Sequence, residues 1–208
     1  MRTTRSVDLP VLYFGTPVAL ITTVNPDGSS NISPISSAWA LGSRYLLGLG
    51  SEGQAAANIE RLGDLVINLP SADLVYAVEA IAPTTGRSPV PAEKVPAYRH
   101  ERDKWGLGNF SPVPSDTVVP PRIAECPVQI EARVAQVVPI DDGNALAVEA
   151  EVLRVHVHEE ILKTHGPDRI DTEKWNPLSY AFRHYFAQGP HVGSNFRAPL
   201  LDEPVVVS

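Results

Sequence analysis

Val18-Ala19-Leu20-Ile21-Thr22-Thr23-Val24, then Asn25-Pro26-Asp27-Gly28, then Asn31-Ile32-Ser33-Pro34-Ile35-Ser36-Ser37-Ala38-Trp39 is the stretch whose reading decides the fold class. The first run is aliphatic and β-branched, as a buried strand is. Asn-Pro-Asp-Gly is a turn: proline pre-sets φ, and glycine supplies the positive φ that closes it. The second run then alternates, with Ile32, Pro34, Ser36 and Ala38 on one side and Ser33, Ile35, Ser37 and Trp39 on the other. Residues 18–39 therefore read as a hairpin, which makes the sheet antiparallel.

Tyr45–Leu49 reads as a third strand. It runs into a tight corner, Gly48-Leu49-Gly50-Ser51-Glu52-Gly53, before a helix over Gln54–Leu62 with Ala55, Ile59 and Leu62 at helical spacing and Gly63 as terminator. Asp64–Leu69 is a further buried strand. Leu74–Ala82 reads as a second helix, capped by Ser71 or Asp73 and stopped by Pro83. The corner matches the dinucleotide fingerprint G-x-G-x-x-G, with Asp73 downstream where an acidic residue belongs. A Rossmann-type NAD dehydrogenase is thus one reading. The hairpin before the corner argues against it, since a Rossmann unit begins with that strand and continues in βαβ units.

A helix entrance is also an anion site, because its N–H groups lack partners and its dipole favours negative charge. Ser51 and Gln54 fit a capping box, so the Ser51 hydroxyl either caps the helix or bonds a phosphate. Asn58 is either a polar pocket residue or a residue on the helix's exposed side.

The second half is plainly β. Val128, Ile130, Ala132 and Val134 alternate with polar neighbours, Asp141-Asp142-Gly143-Asn144 turns the chain, and Ala145–His158 returns. Leu146, Val148, Ala150 and Val152 share a face, whereas Leu153, Val155 and Val157 continue on the other parity. That slip predicts a bulge near Val152-Leu153. Strands joined by hairpins, with few short helices, indicate a closed or partly closed antiparallel barrel.

The chain has 208 residues, 43% hydrophobic and 20% charged, with a formal net charge of -7. This suits one domain over 1–208, with a long excursion at about 84–121 and a C-terminal strap at about 175–208. In the excursion, Tyr98, Trp105, Leu107 and Phe110 call for burial. Scattered basic residues on an acidic chain speak against nucleic acid and anionic membrane as partners. The single cysteine, Cys126, excludes an intrachain disulfide, and its setting before Pro127 and an apolar strand suggests a buried small residue. Neither a signal peptide nor a spanning segment is visible, so a cytoplasmic protein is expected. His156 and His158 point to one side of a strand, but no third ligand lies nearby in sequence, and no metal is expected. Trp175–Phe186, with Arg183 and His184 among aromatics, is either a strand packed on the core or a wall against a planar ring.

The ordered run of Pro17–Thr23, Asp27-Gly28, Asn31–Ser37, Ser51…Asn58-Ile59, Val66–Asn68, Thr85-Gly86-Arg87, Asp103-Lys104-Trp105, Pro121–Pro127 and Pro177–Tyr180…His184-Tyr185 resembles the flavin-reductase-like FMN-binding split barrels. That group includes the reductase components of flavin-dependent monooxygenases. The resemblance implies a six-stranded Greek-key barrel, mainly β with short helices. It implies a homodimer with FMN in a groove near the dimer interface, NADH or NADPH as hydride donor, and in some members a monooxygenase partner. It places Asn31, Ser33, Ser36, Ser37, Ala38 and Trp39 along the isoalloxazine, and Ser51, Gln54 and Asn58 on the phosphate side. Arg87 falls near the pocket, and His184 and Tyr185 stand as the catalytic candidates. The small side chains of Ser36, Ser37 and Ala38 would let a flat ring approach the backbone. An FMN-binding electron carrier without reductase activity is the other reading of the same resemblance.

Overall fold

The computed structural model describes residues 2–164 and 168–196. The hairpin forms as its sequence dictates: β1 (Ala19–Val24) pairs with β2 (Ser30–Ile35) around a turn in which Gly28 has φ +83° and donates to Asn25 O at 3.0 Å. The expected strand over 31–39 does not continue. It breaks at Ser36-Ser37 and resumes as β3 (Ala38–Leu41), which pairs with β4 (Arg44–Gly50) instead of β1. β5 (Asp64–Leu69), β6 (Val128–Ile140) and β7 (Ala145–Val157) complete an antiparallel sheet in the order β2-β1-β5-β6-β7-β4-β3.

The sheet thus has seven strands where six were expected. The seventh is the second half of the broken strand, and it carries the chain from one edge of the sheet directly to the other. Two small serines permit the bend, and the break shifts the side-chain phase. Ile35 and Ala38, three positions apart, both pack on the inner core, so the alternation read across 31–39 fails after Ile35.

The β6–β7 pair carries the expected bulge. Glu131 opposes Arg154 while Ala132 opposes Val152, leaving Leu153 as the extra residue. A second irregularity, at Ala135, shifts the phase so that Val134 and Val137, three positions apart, both pack on the inner core.

Two cores flank the sheet. The inner one joins Ile21, Leu47, Leu65, Ile67, Ile130 and Val148 to Ala56 and Ile59 of α1 (Gln54–Leu62). The outer one joins Leu20, Ile32, Phe110, Ile123 and Leu178 to Val78 and Ile81 of α2 (Val75–Ile81). Because β1 serves both, with Ala19 and Ile21 on the inner core and Leu20 on the outer, it reads as a continuous apolar run. The second helix is one residue shorter at each end than expected, and a 3-10 turn at Ala72–Leu74 precedes it. The Ser71 hydroxyl bonds Asp73 instead of capping it.

The excursion holds α3 (Lys104–Gly108), capped by Asp103, which accepts from Gly106 N. Phe110 is buried and Trp105 and Leu107 pack on the outer core, but Tyr98 is exposed at 41%. In the C-terminal strap, β8 (Ser179–Ala181) pairs with β9 (His184–Phe186) and with Thr16-Pro17, and the part beyond residue 196 lies outside the described residues. No described helix is long and apolar enough to cross a membrane. With antiparallel pairing throughout the main sheet, the Rossmann reading is overturned: the G-x-G-x-x-G match sits on a barrel corner.

Candidate active site

β2 is the last strand on its edge of the sheet, so its outward backbone groups have no strand partner. Pro34, which cannot donate to a ladder, sits on this edge as proline must. β4 approaches at one point, where Gly48 N–H donates to Ser37 O at 2.7 Å, and a Cβ on Gly48 would lie 2.7 Å from Ser37 Cβ. Leu47 and Leu49 point into the core, so Gly48 and Gly50 face outward. Two glycines on that face leave the split between β2 and β4 unfilled.

The result is a groove of two connected lobes sharing Pro34, Ile35, Gly50, Ala82 and Tyr98. One lobe, about 370 Å³, is floored by Ser36, Ser37 and Gly48 and walled by Tyr13, Tyr180 and Tyr185. Tyr180 stacks edge-on against both other rings, at 5.8 and 5.6 Å. Burial first, and Glu79 beside it second, push the Tyr185 pKa well above its ordinary value, and its hydroxyl donates to Glu79 at 2.9 Å.

The other lobe, about 230 Å³, is bounded by Ser33, Gly53, Gln54, Thr85, Lys94 and Lys104. Here α1 begins. Its N-cap is Gly53, not Ser51, and no side chain caps it. Its first turn also lacks an acidic residue. The capping box expected of Ser51 and Gln54 is therefore absent: Ser51 N–H bonds Asn144 O, and Gln54 reaches forward to Asn58.

The expected site residues divide. Ser33, Ser36, Ser37, Gln54 and Tyr185 line the groove. Asn31 stands behind it, donating to Ser33 Oγ at 3.0 Å, with its Oδ1 only 2.6 Å from where a Cβ on Gly86 would sit. Ala38 is buried in the inner core, and Trp39 faces outward, 56% exposed. Ser51, Arg87 and His184 line neither lobe, and His184 is exposed.

Asn58 is buried and committed to the protein. It donates to Thr23 Oγ1 and Asn25 Oδ1 and accepts from Gln54. Asn58→Ala would leave these partners unpaired and is expected to lower stability by about 1–3 kcal/mol, measured by urea unfolding.

Sequence reading missed Lys94, Lys104, Tyr13 and Tyr98 as groove residues, whereas Tyr180 falls in the Trp175–Phe186 stretch read as either a core strand or a ring wall. The two lysines come from the excursion, and only the phosphate-like geometry of the corner hinted that cations belonged there.

The paired histidines separate. His156 bonds buried Glu131 at 2.7 Å, whereas His158 turns to Ala124 O at 2.9 Å. Asp116, Glu131 and His156 form an acid–imidazole cluster, but both Glu131 oxygens already hold Asp116 N–H, Thr117 and His156. A larger cavity, about 890 Å³, lies against residues 188–194 and is lined by Lys163, Arg169, Trp175 and His191. None of the expected site residues lines it, so the groove is the candidate site.

Residues 11–189 match the family described as flavin reductase like domain. The chain belongs to the flavin reductase like domain family. An uncharacterized Bacillus subtilis protein, YdfE, is 42% identical over 190 residues, covering 90% of this chain and 91% of that one. Among solved structures, flavoredoxin of Desulfovibrio vulgaris is similar at TM-score 0.78 and 22% identity, over 95% of this chain and 100% of that chain. Nitrilotriacetate monooxygenase component B from Bacillus cereus is similar at TM-score 0.74 and 18% identity, over 93% and 100%. These likenesses show that this flavin reductase like domain has the split-barrel fold.

Proposed function

We propose that the groove holds FMN and that the protein is an NAD(P)H-dependent flavin oxidoreductase. One observation carries the reading. A single groove joins a flat, tyrosine-walled lobe over small residues to a cationic lobe at an uncapped helix start. Such a shape suits a planar ring with a phosphorylated tail. When bound, the flavin supplies the hydride and electron chemistry.

The chain's part is to bind and orient. The open edge of β2 around Pro34–Ser37 offers backbone groups to the ring's polar rim. Tyr185, held to Glu79 and kept in its phenol form, serves as a fixed wall rather than a proton donor. His184, exposed on β9, would act only on a nicotinamide or acceptor reaching the groove from solvent. Beside the tyrosine-walled lobe, Phe14 packs edge-on against Phe182, and Phe14, Trp39 and Leu41 are 70%, 56% and 69% exposed. A second copy of the chain covering this apolar surface would give a homodimer with the groove at its interface. A monooxygenase accepting the reduced flavin is a partner in keeping with the component B likeness.

An FMN-binding electron carrier is the second reading, favoured by the likeness to flavoredoxin along the full length of that protein. A visible spectrum of purified protein, before and after anaerobic NADH or NADPH, separates the two. Stoichiometric FMN bleached by the nicotinamide supports the reductase. FMN bleached only by dithionite supports the carrier, and no flavin uptake by folded protein overturns both.

A further inference from the structure

We propose that residues 88–98 form a lid over the groove, with Tyr98 as its gate, so that a flavin enters and leaves only when this loop swings outward. The inference rests on the flavin reading of the groove and concerns the regulation of that site. Its observations are the closed neck of the loop, a face of the loop with no bond to the barrel, and the place of Tyr98 between the two lobes.

The neck is pinned. Thr84-Thr85 runs parallel to Arg99-His100, Arg99 N–H donates to Pro83 O at 3.1 Å, and Glu101 N–H donates to Thr85 O at 2.9 Å. His100 Nδ1 lies 3.0 Å from Arg87 O. At Gly86 the chain is seated on the barrel, since a Cβ there would stand 3.0 Å from Gln54 Cγ. Residues 88–98 leave and return at this one point, as an Ω-loop does. Beyond the neck the loop bonds to itself: Lys94 N–H to Pro91 O, Val95 N–H to Ala92 O and Tyr98 N–H to Lys94 O, at 2.9–3.2 Å. Pro89, Pro91 and Pro96 stiffen it further, so it moves as one piece. Among the described residues, no hydrogen bond of this loop reaches the sheet or a helix. The segment after the neck is the opposite case. Arg102 pairs with Asp27, Lys104 donates to Ile32 O and Trp105 Nε1 to Ser30 Oγ, all on the β1–β2 hairpin. Opening the lid therefore breaks none of the bonds that hold the excursion to the barrel.

Tyr98 stands where such a loop controls passage. The lobes share Pro34, Ile35, Gly50, Ala82 and Tyr98. Pro34 and Ile35 are fixed in β2, Gly50 in β4, and Ala82 ends α2. Tyr98 alone is carried by a loop, and its ring is steadied by Lys94 Nζ at 5.7 Å from the same loop. A flavin that spans both lobes must pass this junction, so its release, oxidised or reduced, waits for the loop to open.

Stopped-flow flavin fluorescence tests the gate, with FMN association read on mixing and dissociation on dilution. Tyr98→Ala is expected to raise both rate constants roughly tenfold, so that Kd shifts by less than either. Tyr98→Phe keeps the ring and should leave both rates as they are. A rise in dissociation alone, matched by an equal rise in Kd, would make Tyr98 a simple contact and overturn the gate, as would unchanged rates in Tyr98→Ala. Limited trypsin digestion reads the loop itself. Cleavage after Lys94, in the middle of the lid, is expected to slow roughly tenfold when FMN is bound. The same cleavage rate with and without FMN overturns the lid. Each of these failures leaves the flavin reading intact, whereas folded protein that takes up no FMN overturns that reading and the lid with it.

Discussion

Gly50→Leu is expected to leave the barrel folded and to weaken flavin binding by roughly 100-fold, or about 2.7 kcal/mol. Gly50 lies on the outward face of β4 and lines both lobes of the groove, and a Cβ built there meets nothing within 4 Å. Its backbone is not left-handed, so a side chain strains nothing locally. A leucine would therefore fill the part of the groove common to both lobes, where we propose that the ring and its tail lie. Thermal melting and a flavin titration read the two effects separately. Binding that survives in a folded variant would place the flavin elsewhere. Gly48→Ala is the contrasting case. Its Cβ would stand 2.7 Å from Ser37 Cβ and press apart the point where β4 meets the strand break, so stability falls along with binding.

Glu131→Ala is expected to destabilise the fold by about 3–5 kcal/mol without touching the groove. Glu131 is fully buried in the first part of β6. Burial works against its charge. The N–H of Asp116, the hydroxyl of Thr117, His156 and the N–H of Thr117 together outweigh it and hold the pKa down at about 2. The Arg122 guanidinium lies 3.9 Å away. Truncation strands these donors and releases the 114–121 segment from the sheet. The sign with pH follows from the depressed value. The carboxylate's contribution is complete above its ordinary pKa of 4.5 and is lost as pH falls towards about 2. Urea unfolding at neutral pH and again at about pH 3 should show the variant's deficit shrinking in acid. A constant deficit would mean that packing, not the charge, is what Glu131 provides.

Much of this was legible along the chain because the signals are local. The Asn25–Gly28 turn, the helix Gln54–Leu62 with its Gly63 stop, the strand Asp64–Leu69 and the bulge at Leu153 each follow from periodicity or turn chemistry within a dozen or so residues. The break at Ser36-Ser37 was not legible, since two serines continue an alternating pattern without objection. Only the competition between β1 and β4 for the next residues shows that the strand must change partners there. Ser51 misled for a related reason. A capping box is a pattern of residue types, and here the chain enters the helix two residues later, from Gly53, with Ser51 N–H taken by Asn144 on a distant hairpin.

The amino-acid sequence by itself determined an antiparallel, hairpin-built barrel, an acidic chain and a glycine-rich corner opening a helix, because turns, periodicity and charge are properties of neighbouring residues. The tertiary structure alone decided what fills that corner's surroundings. Lys94 and Lys104 come to α1 from an excursion some forty residues downstream. Tyr13, Tyr180 and Tyr185 meet from opposite ends of the chain to wall the other lobe. Such juxtapositions arise from burying two cores on one sheet, and no stretch of sequence contains both sides of either of them.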